Sequence, residues 1–169
     1  IPSLRGRIVK INEIPVSKVK VADDSKWAIR GDRVLTYSKE KKVASKIVAG
    51  KWWPKNYEGA PLISLDASLA KGFNVEVGDT LTINILGRNV LAKIASLRQI
   101  NWRNLQFDFA IIFSPGVLEN APLTHIAAIE IEPIKELALE RIINEKFPNI
   151  TIIGIRQALK AAQNILIGI

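Results

Sequence analysis

The chain of 169 residues has no cysteine, no methionine and a single histidine. Without cysteine, disulfides, thiolate-bound zinc, iron–sulfur clusters and thiol catalysis are all excluded, while the redox compartment stays open because both kinds tolerate such a chain. No run of about 18 apolar residues occurs, and the opening IPSLRGR lacks the charged-then-apolar layout of a signal peptide, so no span is expected inside these residues. There is no G-x-x-x-x-G-K-[ST] and no G-x-G-x-x-G, which removes the usual ATP-hydrolysing and dinucleotide-binding loops.

The residues present describe a folding chain: 48% are hydrophobic and 24% charged, against the composition of a disordered segment. This length makes one domain or two small ones, burying roughly two thirds of the unfolded surface. A chain that begins at Ile1 is expected to be a piece excised from something longer. Its apolar ending, residues 165–169, is of the kind that runs on into a transmembrane helix.

The net charge of +8 is unevenly placed. Residues 1–51 hold 13 Lys and Arg against 5 Asp and Glu, the whole excess of 8, whereas residues 52–169 hold 11 of each. Many of these bases alternate with apolar neighbours: period-2 spacing puts Lys18 and Lys20 on one strand face and Val19 and Val21 on the other. That pattern fits a solvated strand face, or a surface for an anionic partner such as lipid headgroups or nucleic acid.

Periodicity predicts short strands over 4–11 and 16–22 as a hairpin, a helical turn at 23–28 carrying Trp27, and strands at 34–37, 47–49 and 62–65. Asp66 is placed to N-cap a short helix over 67–71 that Gly72 closes. A hairpin of 80–86 and 90–97 turns at 87–89, with Leu81, Ile83 and Ile85 on its core face. A strand over 105–113 follows. The pattern then changes to a strand at 124–131, an amphipathic helix from Pro133 with Ile134, Leu137, Ala138, Arg141 and Ile142 on one face, a strand at 150–153 and a second helix at 156–167. The expected fold class is therefore α+β: a β-rich subdomain over 45–113 joined to, or inserted in, a small α+β subdomain with two C-terminal helices.

Candidate chemistry is sparse. His125 is a lone histidine at a strand edge with no G-x-S-x-G elbow nearby, and the carboxylates are scattered, apart from Asp23 and Asp24 at a turn start. An enzyme built on His125 or those carboxylates would need a concave cluster of polar groups with shifted pKa values. Aromatic residues beside bases, in Lys51-Trp52-Trp53-Pro54-Lys55 and Asn101-Trp102-Arg103, superficially fit single-strand binding. They fit better one tryptophan plugging the β-rich part while its neighbour contacts another chain, with Trp102 covering a barrel end.

Several longer motifs carry a family resemblance. Gly50-Lys51-Trp52-Trp53-Pro54, then Pro61 to Asp66 with Leu69 and Ala70, then Val77-Gly78-Asp79-Thr80-Leu81 and Leu86-Gly87-Arg88, resemble in order the extracytoplasmic core of MacB/FtsX-type ABC transporter permeases. The YbbP-like permeases are the more specific resemblance. Their patterns PSLRGRIV, W-x-x-RGDR-x-LTYS, WWP-x-x-Y-x-G-x-PL and FSPG-x-LE-x-AP-x-TH fall at residues 2–9, 27–38, 52–62 and 113–125.

The resemblance implies a non-catalytic periplasmic domain of a bacterial inner-membrane permease. A separate cytoplasmic ATPase subunit would bind ATP, and its motion would pass through spans outside this fragment to loops that handle or export lipophilic or peptidic cargo. No cofactor and no nucleic acid are expected in this domain; a second permease copy or a periplasmic protein is a candidate partner. The family pattern assigns 1–44 and 114–169 to an α+β porter-like part, its first β-α unit missing before Pro2, and 45–113 to a β-rich sabre-like part. The candidate contact residues for cargo or partner are Trp52, Trp53, Tyr57, Trp102, Arg30 and Arg33. The alternative from composition is a free-standing basic β-rich module for anionic polymers, nucleic acid or lipid headgroups.

Overall fold

The computed structural model describes residues 1–41, 46–100 and 108–154. Two compact units divide it, Ile1–Ala127 and Ala128–Ile169. The first is built on β1 (Pro2–Ile11), β2 (Ile14–Pro15), β3 (Arg33–Tyr37), β4 (Lys46–Gly50), β5 (Leu62–Asp66), α1 (Ala67–Phe73), β6 (Thr80–Ile85), β7 (Arg88–Gln99), β8 (Ile111–Phe113) and β9 (Thr124–His125). Single 3-10 turns occupy Val16–Lys18 and Asp23–Ala28.

Six of these strands close on themselves. β1 pairs with β3, β3 with β8, β8 with β5, β5 with β7, β7 with β6, and β6 returns to β1. The β3–β8 and β5–β7 pairs are parallel and the other four antiparallel. Closure removes most free edges, leaving β2, β4 and β9 as outlying strands. The barrel interior is filled by apolar side chains that alternate along each strand: Leu4 and Ile8 from β1, Leu35 from β3, Ile63 and Leu65 from β5, Leu81, Ile83 and Ile85 from β6, Ala92 and Ile94 from β7, and Ile111 and Phe113 from β8.

This corrects the expected fold class. The α+β arrangement of a porter-like part with a β-rich insertion is not what forms, because β1 and β3 from residues 1–44 are staves of the same closed barrel as β5 to β8. The expected strand over 124–131 stops at His125, and no strand forms over 150–153, so the second unit has no described strand on which a helix could pack. What it contains is a 3-10 turn at Pro133–Lys135 and α2 (Glu136–Lys146). The second expected helix, 156–167, lies outside the described residues.

Local departures have local causes. The hairpin partner of β1 is only two residues long: β2 ends at Pro15, which has no N–H for a longer ladder, and Val16–Lys18 coils. The predicted alternation survives in burial alone, with Val21 buried and Val19 packed on the core while Lys18 and Lys20 are exposed. α1 starts as expected, the Asp66 side chain accepting from Ser68 N at 2.6 Å, but runs through Gly72 and ends at Asn74 in the left-handed region (φ 54°). Gly72 serves close approach instead of termination: a Cβ there would sit 1.9 Å from Ser25 Oγ. The β6–β7 hairpin turns tightly through Leu86 and Gly87, both at positive φ, the signature of a primed two-residue turn.

Candidate functional site

The outer face of β5, β7 and β8 is not left to solvent. Ile112 lies between Ile111 and Phe113, which fill the barrel, so its side chain points outward, where it forms a second cluster with Trp53 and Phe109. Trp52, Tyr57, Leu62 and Ala95 pack against this cluster. The loop after β4 is thus folded back over the barrel as a lid of aromatic rings. Trp53 is 4% exposed and its Nε1 donates to Ser38 O at 2.8 Å; Trp52 is half-buried, tilted 33° against Trp53 at a centroid distance of 4.2 Å, with Nε1 donating to Lys39 O at 3.4 Å. The Tyr57 hydroxyl donates to Ala60 O at 2.7 Å. Both indole donors being satisfied by residues 38 and 39, this layer ties the end of β3 to the loop after β4.

Beneath the same face lies a buried polar network. A β-bulge shifts the β5–β7 register between Ile63 and Ser64, so that Ser64 pairs with Ser96 and Asp66 with Arg98. Arg98 is fully buried, yet its Nε donates to Ser64 Oγ (3.0 Å), one terminal nitrogen to Asp108 Oδ1 (3.1 Å) and the other to Phe109 O (2.5 Å). Ser96 Oγ donates to Ser64 Oγ at 2.8 Å. Burial pushes the guanidinium below its ordinary pKa, while Asp108 and Asp66 pull it back up. An arginine remains charged under these opposing influences. The network therefore pins β7 to the segment that enters β8.

A separate cluster stands at the other end of β3. The Arg33 guanidinium lies 5.4 Å over the Trp27 ring, a cation–π contact, and donates a 3.5 Å hydrogen bond to Arg30 O. Arg33 Nε is buried without a hydrogen-bond partner. Trp27 is 45% exposed and forms one wall of a cleft of about 360 Å³ lined by Asp24, Ser25, Asp66, Ser68 and Leu69. Arg33 and Ser38 are five residues apart along an extended chain, about 16 Å. The six sequence candidates thus do not converge: Trp52, Trp53 and Tyr57 form one layer, Arg33 stacks on Trp27 elsewhere and donates to the Arg30 carbonyl, and Trp102 lies outside the described residues.

His125 is exposed in β9, its backbone paired with Pro2. Among the described residues no group of three or more His, Asp or Glu side chains is placed to hold a metal ion, and no helix is long and apolar enough to cross a membrane. Bases of the first third meet acids on the surface: Arg7 with Asp32 (3.2 Å), Lys26 with Asp23 (2.5 Å), and, across to the aromatic loop, Lys55 with Glu40 (2.8 Å). The Lys55 ammonium holds the Glu40 carboxyl below its ordinary range, first through their hydrogen bond and then through charge.

Over 159 residues, 94% of its length, the chain is 30% identical to the uncharacterized ABC transporter permease YbbP of Escherichia coli (strain K12). This is a YbbP-like, permease-related domain. It spans 18% of the length of that permease. No family model matches the chain, and no solved structure matches it. The parts that sequence reasoning missed are the Trp27–Arg33 stack and the Arg98 network. A charged residue directly following the apolar alternation of β7 was the available signal for the second.

Proposed function

We propose that this chain is a non-catalytic, periplasmic domain of a bacterial inner-membrane ABC transporter permease. In this reading a cytoplasmic ATPase subunit binds and hydrolyses ATP, and the permease passes the resulting motion to this barrel, which handles or helps export lipophilic or peptidic cargo. The observation that carries the reading is the 30% identity to YbbP across 94% of the chain. The barrel suits such a role physically. A closed sheet, a second apolar layer and a buried, hydrogen-bonded arginine make a stiff body that transmits displacement instead of absorbing it. The half-buried Trp52 and Tyr57, presented on that stiff body, are the contact residues for cargo or a protein partner.

The absence of cysteine supplies the test. A single Ser17→Cys substitution, at an exposed position, is placed in the full-length permease with any native cysteines outside this segment removed. In spheroplasts a membrane-impermeant maleimide is expected to label it at the same rate before and after lysis. Labelling only after lysis overturns the periplasmic placement. Trp52→Ala with Tyr57→Ala is expected to lower transport and cargo crosslinking while the permease still reaches the membrane. Unchanged transport and crosslinking remove these residues from the contact surface.

A further inference from the structure

Barrel closure leaves β4 as the exception. Among the described residues it pairs with β7 alone, along Lys46 to Gly50, and none of its residues is buried. Val48, at its centre, is 49% exposed. Bulged between Ile47 and Ala49, this strand has one edge without a partner among the described residues, and an added strand can satisfy its N–H and C=O groups where a lipid headgroup or a nucleic-acid backbone cannot pair in register. Lysines mark both ends: Lys46 opens the strand, Lys51 follows it, and both are exposed. The Trp52 indole bond to Lys39 O brings the end of the β3 segment, with exposed Lys39, beside the same loop. Glu40, the adjacent acid, is engaged by Lys55 and does not offset these charges.

We infer that β4 is a docking edge for an extended, acidic peptide segment. The inference deepens the contact-surface reading above and rests on it, naming its partner as a peptide that adds as one more strand. Lys46 and Lys51 bracket the strand, which bulges at Val48 and turns at Gly50 (φ 71°), so the segment carries a carboxylate towards each end with a β-branched stretch between them to cover Val48. Backbone pairing supplies affinity and the two lysines supply register and charge selection.

The probe is a blocked peptide containing Glu-Val-Thr-Val-Thr-Glu, titrated into the 169-residue chain while backbone amide NMR shifts are followed. Shift changes concentrated at residues 46–50 are expected, with binding at least tenfold weaker for the peptide bearing Lys in place of both Glu and for the K46E/K51E variant. The milder K46Q/K51Q variant, whose fold the same spectrum checks, is expected to fall between. No shift change at millimolar peptide, equal binding by K46E/K51E, or changes centred on the Trp27 cleft would each overturn the inference. So would a concentration-dependent dimer of the chain that K46E/K51E abolishes, which assigns the edge to a second copy. Binding with no loss of transport on K46E/K51E in the permease keeps the edge and sinks its place in the transport reading; absence of binding leaves the permease reading untouched.

Discussion

The two units treat the same kind of residue in opposite ways. In Ile1–Ala127, Leu35, Ile63, Leu65, Leu81 and Ile83 are at 0% exposure, whereas over residues 128–154 no residue is buried, Ile134 is 87% exposed and Leu137 74%. Both segments carry clear hydrophobic periodicity, with period 2 in the barrel strands and 3.6 in α2. Periodicity specifies the element and which face is apolar. It does not specify that the chain itself provides the other wall: the barrel strands bury their inner faces against each other, and α2 has no such enclosure among the described residues.

The comparison is broken most severely at Arg98. Replacing it by Ala removes the guanidinium that Ser64, Asp108 and the Phe109 carbonyl share, and leaves Asp108 and Asp66 facing a buried void. Loss of a partner from such a network costs about 3–5 kcal/mol. Denaturant unfolding of the barrel is the measurement, and a loss below about 1 kcal/mol would mean that the outer layer, not the network, secures β7. Leu65→Ala tests the inner face. At 0% exposure among Leu, Ile and Phe neighbours it leaves a cavity, and a destabilisation of about 2–5 kcal/mol is expected from the same unfolding curve.

Gly72→Ala is the next smaller effect. Its new Cβ would sit 1.9 Å from Ser25 Oγ and 2.4 Å from Ser25 Cβ, so either α1 or the Asp23–Ala28 turn must move, at about 1–3 kcal/mol. The double variant with Ser25→Gly removes both opposing atoms and is expected to recover most of the loss. Additive losses in that cycle would show that the two segments are not in contact.

How much of this could be read beforehand follows from the range of each interaction. Local grammar was legible: Asp66 caps α1, Leu81, Ile83 and Ile85 share the buried face of β6, and Gly87 lies in the hairpin turn. The barrel itself was not, because its closure depends on two parallel pairings, β3 with β8 and β5 with β7, that join residues dozens of positions apart and leave no periodic signal. The same limit misdirected the C-terminal region, where a strand-then-helix rhythm suggested α+β packing and only His125 and Thr124 joined the sheet. The six candidate contact residues were named as aromatics and bases without any grouping, and the structure gathers Trp52, Trp53 and Tyr57 from among them into one layer. Their burial was decided by Ile112 and Phe109, which sequence spacing did not place beside them. The Arg33 stack on Trp27 needed the turn at Asp23–Ala28 to bring the two together.

The smallest expected effect is the one that tests the comparison most directly. Leu137→Ala removes as many atoms as Leu65→Ala, from a position that is 74% exposed instead of 0%. Both residue types favour the helix, so propensity changes little, and a surface substitution of this kind is expected within about 0.5 kcal/mol of the parent. The measurement is the unfolding of α2 by amide hydrogen exchange over residues 136–146, run beside the Leu65→Ala curve. A loss approaching that of Leu65→Ala would mean that the apolar face of α2 is enclosed in solution, and the contrast between the two units would then be one of partners, not of packing. A loss near zero keeps the contrast and identifies α2 as a helix whose apolar face contributes nothing to the stability of this chain alone.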